Sequence, residues 1–263
     1  MEVIVKPKVI AIAGKGGVGK TTIGGLLVRY LVEELKNGPV LAVDVDPNSN
    51  FNEVLGVTVK NTIGEARELL KKDVPAGMTK DVWFEYKVHE AIVEQKGFDL
   101  LVMGRPEGPG CYCAANAVAK QSIDALKANY SYVVADNEAG MEHMNRLVTQ
   151  DVDTLYVVSD PTQRGLATAG RIHHLIGELK LRIGNAYTIV NRIGEKNAAV
   201  LHNIAAEKGI SLAGTIRNDE ALLSNEMEGK TIFDLDKDSV ALVDAYRIFD
   251  ATLKGSGQQN RKS

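Results

Sequence analysis

The sequence predicts an α/β protein in which a mainly parallel central sheet of seven or more strands is covered by helices on both faces. Short apolar, β-branched runs alternate with helical stretches, which is the pattern of a parallel sheet buried on both sides. A hydrophobic share of 44% over 263 residues allows a sizeable core, and we expect one domain over residues 1–254. The predicted strands are 9–13, 40–45, 100–103, 132–135, 154–158, 187–190 and 212–216.

Helix periodicity and helix-end signals fill the intervals between these strands. Thr62 and Glu65 have capping-box spacing, so a helix should begin after Thr62. The tripeptide 37–39, with Gly38 before a proline, should end the first helix through a glycine cap. The other predicted helices are 21–36, 116–128, 163–178, 195–208, 219–228 and 239–253.

The pattern weakens over residues 73–98. A turn sequence at 75–77 is followed by the aromatic residues Trp83, Phe84 and Tyr86. We interpret this segment as an insertion or a lid, with a surface for a client protein as one use of it. The alternative is that its aromatic side chains fill a niche in the core.

A phosphate-binding loop follows the first predicted strand. Gly14, Gly19, Lys20 and Thr21 satisfy the spacing G-x-x-x-x-G-K-S/T, in which glycines let backbone N–H groups curl around phosphate oxygens. Lys20 should reach the β- and γ-phosphates, and Thr21 should hold Mg²⁺. The strand before the loop and the helix after it, whose N-terminus favours phosphate, favour nucleotide binding over a simple glycine-rich turn.

Lys15, directly after the first glycine, makes this loop resemble the deviant Walker A motif of the MinD/ParA, nitrogenase iron protein and ArsA group of ATPases. The resemblance implies a P-loop NTPase fold, ATP and Mg²⁺ as ligands, and a homodimer. It also implies that Lys15 acts in catalysis by crossing to the nucleotide of the partner subunit, the alternative being a solvated lysine. The nucleotide-binding residues that it implies are Gly14, Lys15, Gly16, Gly17, Val18, Gly19, Lys20, Thr21 and Thr22.

Two aspartates, Asp44 and Asp46, lie at the end of the second predicted strand. Ligands of open α/β sheets bind at the carboxyl ends of the strands. The resemblance makes this segment switch I, in which Asp46 would orient or activate the attacking water and Asp44 would support Mg²⁺ through water. The alternative is that both aspartates cap the loop.

Residues 136–140 after the fourth predicted strand are similar to the D-x-x-A-G of switch II. There Asp136 would hold the Mg²⁺ shell, and Gly140 would leave room for a backbone N–H to meet the γ-phosphate. Loss of the γ-phosphate would remove that contact, so the loop would distinguish ATP from ADP.

Base contacts are implied at the ends of the last two predicted strands. Asn191 and Arg192 match the position at which the family reads the adenine amino group. Asp219 matches the segment that flanks the base, and Arg217 stands where the family has proline.

Cys111 and Cys113 are the two cysteines of the chain. In an extended segment, residues two apart project to the same side, so both sulfurs face one ion. Two thiolates do not complete the four-coordinate shell usual for zinc or square-planar nickel, and a two-fold dimer would supply the other two. The cysteine pair therefore predicts a nickel or zinc site shared across a dimer.

A deviant Walker A followed by C-x-C resembles the CooC/AcsF nickel-insertion ATPases, and residues 139–143 are similar to the A-G-I-E-H of that subfamily. The resemblance implies a maturation factor with Ni²⁺ (or Zn²⁺) as cargo and carbon monoxide dehydrogenase or acetyl-CoA synthase as client. His143 would adjust the switch or lie near the metal, the alternative being a hydrogen-bonded histidine without a special role.

The cysteine pair and the last residues of the sequence also bear on other functions. An iron–sulfur reductase would need two distant cysteines in each chain, and a MinD-like membrane ATPase would end in a basic amphipathic helix, whereas residues 255–263 read as a polar, disordered tail. Another metal-cluster carrier or scaffold ATPase, a partitioning ATPase and a redox disulfide stay as alternatives. A net charge of −3 gives no field for nucleic acid or anionic membrane, and the first residues lack the apolar core of a signal peptide, so we expect a cytoplasmic protein.

Overall fold

The structure is a computed structural model that describes residues 6–46, 50–70, 74–104, 123–124, 126–137, 151–179, 181–194 and 198–254, without the side chains of 198–200 and 202. Its centre is an eight-stranded sheet in the order β3-β4-β2-β5-β1-β6-β7-β8. The strands are β1 (Lys8–Gly14), β2 (Val40–Asp44), β3 (Val93–Glu94), β4 (Phe98–Val102), β5 (Tyr132–Asp136), β6 (Asp151–Ser159), β7 (Arg182–Ile193) and β8 (Leu212–Arg217).

The predicted fold class is confirmed, because every strand pair is parallel except β3 with β4. All seven predicted strands are present. The two-residue strand β3 is additional, since an edge strand so short carries no pattern of its own. The prediction covered only the second half of β7, because the first half is largely exposed and lacks an apolar run.

Most of the helices that the structure describes lie close to the predicted intervals, and the helices over 51–55 and 80–91 were not predicted. They are α1 (Lys20–Tyr30), α2 (Phe51–Leu55), α3 (Ile63–Leu69), α4 (Lys80–Ala91), α5 (Gln163–Glu178), α6 (Ala198–Glu207), α7 (Glu220–Met227) and α8 (Val240–Phe249). The capping box of Thr62 with Glu65 is present at α3. The helix predicted over 116–128 lies largely outside the described residues, and Lys127–Asn129 form a 3₁₀ turn.

The end of the first helix differs from the prediction. A π-helical turn, Leu31–Leu35, follows α1, and Lys36 takes the left-handed cap position with a φ of 48°. The prediction that Gly38 caps the helix was wrong. Gly38 has a φ of 114° and lies where the chain passes close to Ser131, because a Cβ at this position would be only 2.1 Å from Ser131 Oγ.

The segment with the weak sequence pattern is built into the edge of the sheet. Its residues form α4, which Thr79 caps by accepting from Val82 N, and then β3. Trp83 is buried and Phe84 packs against one core cluster, as the alternative interpretation of the aromatic residues has it, whereas Tyr86 is exposed. Helix α4 was not predicted because exposed apolar side chains on its outer face obscure the helical period.

Each face of the sheet has its own apolar core. On β1, Ile10 and Ile12 belong to the cluster that includes α1 and α8, while Ala11 and Ala13 belong to the cluster that includes α5 and α6. Successive strand residues point to opposite faces, so the continuous apolar run of β1 serves both. None of the helices within the described ranges has the length and apolar character needed to cross a membrane.

The strand order places one crevice at the centre of the sheet. From β1 the chain moves to β2 on one side, and after β5 it crosses to β6 on the other side of β1. In open α/β sheets, ligands bind outside the carboxyl ends of strands at such a reversal. The ends of β1, β2 and β5 therefore mark the position of the candidate site.

Candidate functional site

The loop between β1 and α1 has the backbone of a phosphate cradle. Gly14 closes it against β6, where a Cβ would lie only 2.3 Å from the carbonyl oxygen of Val158. Gly19 is the N-cap of α1, in the left-handed region with a φ of 92°, and no side chain caps the first turn. The free N–H groups of that turn and its positive dipole end therefore face the loop, where an anion binds favourably.

Lys20, Thr21 and Asp136 are close together behind the loop. Lys20 is 7% exposed and Asp136 is 1% exposed. Burial raises the pKa of Asp136 to about 6, opposed by a hydrogen bond from Thr21 and by the positive charge of Lys20. The Thr21 hydroxyl also lies 3.3 Å from Asn50 Oδ1. The structure thus brings together the lysine, the hydroxyl and the switch II aspartate that the sequence predicted.

One oxygen of this cluster has no hydrogen-bond partner among the described residues. Asp136 Oδ1 is buried and no described group donates to it, although buried carboxylate oxygens are normally satisfied. Mg²⁺ prefers hard oxygen ligands and commonly takes one or two carboxylates together with phosphate oxygens. Asp136 and Thr21 therefore fit the magnesium ion expected beside a bound nucleotide.

Asp44 holds the switch I loop. Its Oδ1 accepts from Asp46 N at 3.1 Å and its Oδ2 accepts from Phe51 N, the first residue of α2, at 3.0 Å. Burial raises the pKa of Asp44 to about 7, the hydrogen bond from Phe51 lowers it, and the charge of Asp136 raises it further. The loop-capping alternative thus describes the observed contacts of Asp44, and its water-mediated contact with Mg²⁺ stays a prediction.

Asp46 follows β2 at the same edge as Asp136. Val45 N donates to Asp136 O at 2.9 Å, which joins the start of the switch I loop to the end of β5. Asp46 is half-buried, and its charge acts on both Asp44 and Asp136. This position is compatible with the water-activating role that stays a prediction for Asp46.

Asn191 and Arg192 contact the phosphate-binding loop directly. Asn191 Nδ2 donates to Val18 O at 3.0 Å, and Arg192 Nη1 donates to Gly17 O at 3.2 Å. A Cβ on Gly19 would lie 2.4 Å from Asn191 Nδ2, so the loop can pass this side chain only as glycine. The contact of Asn191 and Arg192 with adenine stays a prediction.

Asp219 and Arg217 make contacts within the protein. Asp219 caps α7 by accepting from Ala221 N at 2.9 Å, and its other oxygen accepts from Ser239 Oγ and Ala241 N at the start of α8. Burial tends to raise the pKa of Asp219, but these hydrogen bonds outweigh it and the pKa is lowered. Arg217 instead pairs with the buried carboxylate of Asp244. The contact of Asp219 with the base stays a prediction.

The comparison with protein families shows to which family the chain belongs. The model of the CbiA family, described as the CobQ/CobB/MinD/ParA nucleotide binding domain, matches residues 9–232. The chain belongs to this MinD/ParA family of P-loop ATPases. An uncharacterized ATP-binding protein of Methanocaldococcus jannaschii is 43% identical over 232 residues, which cover 86% of this chain and 91% of the relative.

Two further comparisons bear on function and fold. The carbon monoxide dehydrogenase accessory protein CooC of Rhodospirillum rubrum is 30% identical over 240 residues, covering 86% of this MinD/ParA-family chain and 89% of the relative. The septum site-determining protein MinD of Pyrococcus horikoshii, solved with Mg-ADP, superimposes with a TM-score of 0.71 at 21% identity, covering 95% of this chain and 98% of that one. The second likeness confirms the fold.

Two asparagines at this site were not among the residues predicted from the sequence. Asn50 lies beside Thr21, and Asn137 Nδ2 donates to Ile12 O at 3.0 Å, joining the ends of β5 and β1. Asn137 directly follows Asp136, so its place after a strand was the one available signal. No sequence signal indicated Asn50, because asparagine residues are common in loops and its partner Thr21 is distant in sequence.

The remaining predicted residues are either exposed or outside the described part of the chain. Lys15, Gly16 and Gly17 are exposed at the rim of the loop. Cys111, Cys113, Gly140 and the 139–143 segment lie outside the described residues. Within the described ranges, no group of three or more His, Cys, Asp or Glu residues could hold a metal ion. The shared cysteine site and the γ-phosphate contact of Gly140 therefore stay predictions.

Proposed function

We propose that this chain is an ATP-hydrolysing maturation factor that dimerises on ATP binding. It assists nickel insertion into the active-site cluster of a carbon monoxide dehydrogenase or acetyl-CoA synthase. The observation that carries the ATPase part is the buried oxygen of Asp136, which no described residue satisfies, beside Thr21 and Lys20 behind the phosphate-binding loop.

The described residues supply binding and orientation. Backbone N–H groups of the loop and of the first turn of α1 bind the phosphates, and the buried ammonium group of Lys20 neutralises their charge. Asp46, on the loop that Asp44 holds, orients the attacking water and accepts its proton. Mg²⁺ held by Asp136 and Thr21 would stabilise the negative charge that develops on the phosphate oxygens.

Dimerisation is the step that links nucleotide to metal. The exposed Lys15 would reach the partner's nucleotide, so a closed dimer needs the triphosphate in both subunits. Closure would bring the two Cys111–Cys113 pairs together as four thiolate ligands. Hydrolysis would remove the contact of the γ-phosphate with Gly140 and release the dimer together with the nickel ion.

The nickel part has support from two sources. The CooC relative is an accessory protein of carbon monoxide dehydrogenase, and the match to it extends over 86% of this chain. The sequence also contains a C-x-C pair at residues 111–113, and thiolates are soft ligands that accept nickel and zinc.

A transfer experiment tests this function. Nickel-free carbon monoxide dehydrogenase and nickel-free acetyl-CoA synthase are each incubated with Ni²⁺ and the chain, with ATP or a non-hydrolysable analogue, and their nickel content is measured after separation. We expect the nickel content of one client enzyme to rise when ATP is present and to rise little when the non-hydrolysable analogue replaces it. The variant Asp46→Ala serves as the matched control that retains nucleotide binding. Equal nickel uptake without the chain, or with the control, would contradict the proposal.

A further inference from the structure

An irregularity in β7 directs two side chains toward the phosphate-binding loop. Val190 pairs with Thr215 and Ile193 pairs with Arg217, so β7 contains one residue more than β8 in this interval. Within this bulge, Arg192 has a φ of 58°, a left-handed conformation that is uncommon for a residue with a side chain. Bulges and such strained residues occur preferentially at functional sites, where they re-aim side chains.

The two side chains of the bulge hold two consecutive carbonyl groups. Asn191 donates to Val18 O, and Arg192 donates to Gly17 O. Asn191 Oδ1 accepts from the backbone N of Arg192 at 2.9 Å, which fixes the orientation of the amide. Asn191 is buried, whereas Arg192 is exposed and reaches the loop from outside.

These contacts determine which way the loop's peptide groups face. In a planar trans peptide the C=O and the N–H point in opposite directions. Holding the carbonyl groups of Gly17 and Val18 outward therefore keeps the N–H groups of Val18 and Gly19 on the opposite side, toward the phosphates. Gly17 and Gly19 have φ values of 78° and 92°, and glycine-rich segments otherwise rotate freely at such positions.

We propose that Asn191 and Arg192 are positioning residues that preorganise the phosphate-binding loop, a role separate from any contact with the base. The inference rests on the nucleotide-hydrolysing part of the proposed function and not on its nickel part. Preorganisation lowers the entropic cost of ordering the loop, so it strengthens binding of the phosphates themselves.

The experiment uses one probe with a base and one without. Binding of Mg-ADP is measured by calorimetry, and binding of magnesium pyrophosphate by displacement of a fluorescent ADP analogue. We expect Asn191→Ala and Arg192→Gly to lower the affinity for both probes by the same factor, about tenfold. This is the effect of losing one hydrogen bond that involves a charged or buried group. Arg192→Lys should recover part of the loss because it keeps a cationic donor.

Two features keep the result separate from a general loss of stability. Arg192→Gly relieves the strained φ, so its thermal midpoint should not fall below that of the wild type. Arg182→Ala is the matched control, since Arg182 is exposed on the same strand at the opposite end of the sheet, paired with Asp151. Its affinities for both probes should equal those of the wild type.

Two outcomes would overturn the inference. If the variants lose affinity for ADP but bind pyrophosphate as the wild type does, Asn191 and Arg192 contact only the base and do not organise the loop. Variants with unchanged affinity for both probes would have no role in the loop. Failure of the proposed function would appear elsewhere, as a wild-type chain that does not hydrolyse ATP or does not transfer nickel, because the inference depends only on the ratio between variant and wild type.

Discussion

Asp44 and Asp136 are paired residues at the carboxyl ends of the adjacent strands β2 and β5, and both carboxylates are almost fully buried. Their oxygens are used differently. Asp44 accepts hydrogen bonds from the backbone N–H groups of Asp46 and Phe51, while Asp136 Oδ1 has no partner among the described residues. One buried aspartate therefore holds the loop after β2, and its neighbour is the residue that we propose as a ligand of Mg²⁺.

The first prediction concerns pH and uses the variant Asp44→Asn in the nucleotide-free protein. Burial raises the pKa of Asp44 from 3.8 to about 7, so between these values the folded state binds more protons than the unfolded state. The contribution of this carboxyl group to the free energy of unfolding is therefore present at low pH and is lost as pH rises through the folded-state pKa. Urea unfolding across this range should show the wild type losing stability relative to the variant, by up to about 4 kcal/mol. A difference that does not change with pH would contradict this account.

The second prediction separates chemistry from binding at switch I. Asp46→Ala should keep its affinity for ATP and lose at least about a hundredfold in turnover, because general-base catalysis commonly supplies that factor. Lys20→Ala should instead weaken binding, since the buried ammonium group acts on the phosphates already in the ground state. Calorimetric affinity and steady-state hydrolysis measure the two effects. Turnover close to that of the wild type would remove Asp46 from its catalytic role.

The third prediction concerns the exposed loop lysine. Lys15→Gln should abolish ATP-dependent dimerisation and hydrolysis together, because the charge that would meet the partner's nucleotide is absent. Light scattering with a non-hydrolysable ATP analogue measures the first and phosphate release the second. Lys60→Gln, at an exposed lysine outside the loop, is the control. An ATP-induced dimer that survives Lys15→Gln would exclude an intersubunit role for this residue.

The fourth prediction concerns the ion pair that joins β8 to α8. Asp244 is buried and accepts from Arg217 Nε at 2.7 Å, Nη2 at 3.0 Å and backbone N at 3.1 Å, while the exposed Arg247 contributes a fourth contact at 3.2 Å. Asp244→Asn leaves the half-exposed Arg217 donors facing a neutral amide, so the free energy of unfolding should fall by about 1.5 to 2 kcal/mol. Arg247→Ala should cost less than about 1 kcal/mol because the pair is solvent-screened on that side. If chemical denaturation shows the same loss of unfolding free energy for both variants, the pair of Arg217 with Asp244 is no more stabilising than the exposed contact of Arg247.

Local patterns were sufficient for the strands and the phosphate-binding loop. The run around Ile10 is apolar on both faces because β1 lies between two covered layers, and the loop glycines are required by the loop's own backbone. The strand β3 and helix α4 were missed for the opposite reason. An edge strand is short, and exposed apolar residues such as Val82 and Tyr86 hide the periodicity of α4.

The contacts between distant segments could not be predicted from the sequence. Asn191 reaches Val18 only because the pairing of β7 with β8 contains a bulge, which depends on tertiary register. Arg217 stands in place of an expected proline, and its partner Asp244 belongs to a helix that begins well beyond it in the chain. Motifs identify residue types at a site, whereas the partners of those residues are set by packing.

The proposed function requires that two subunits share one nickel site that closes with ATP. Equilibrium dialysis against Ni²⁺, with a non-hydrolysable ATP analogue and without nucleotide, tests it on the wild type, Cys111→Ser and Cys113→Ser. We predict one nickel ion per dimer with the analogue, weaker binding without it, weaker binding below neutral pH because protons compete for the thiolates, and no stoichiometric binding by either variant. One ion per monomer, or binding that survives Cys111→Ser, would contradict the shared site.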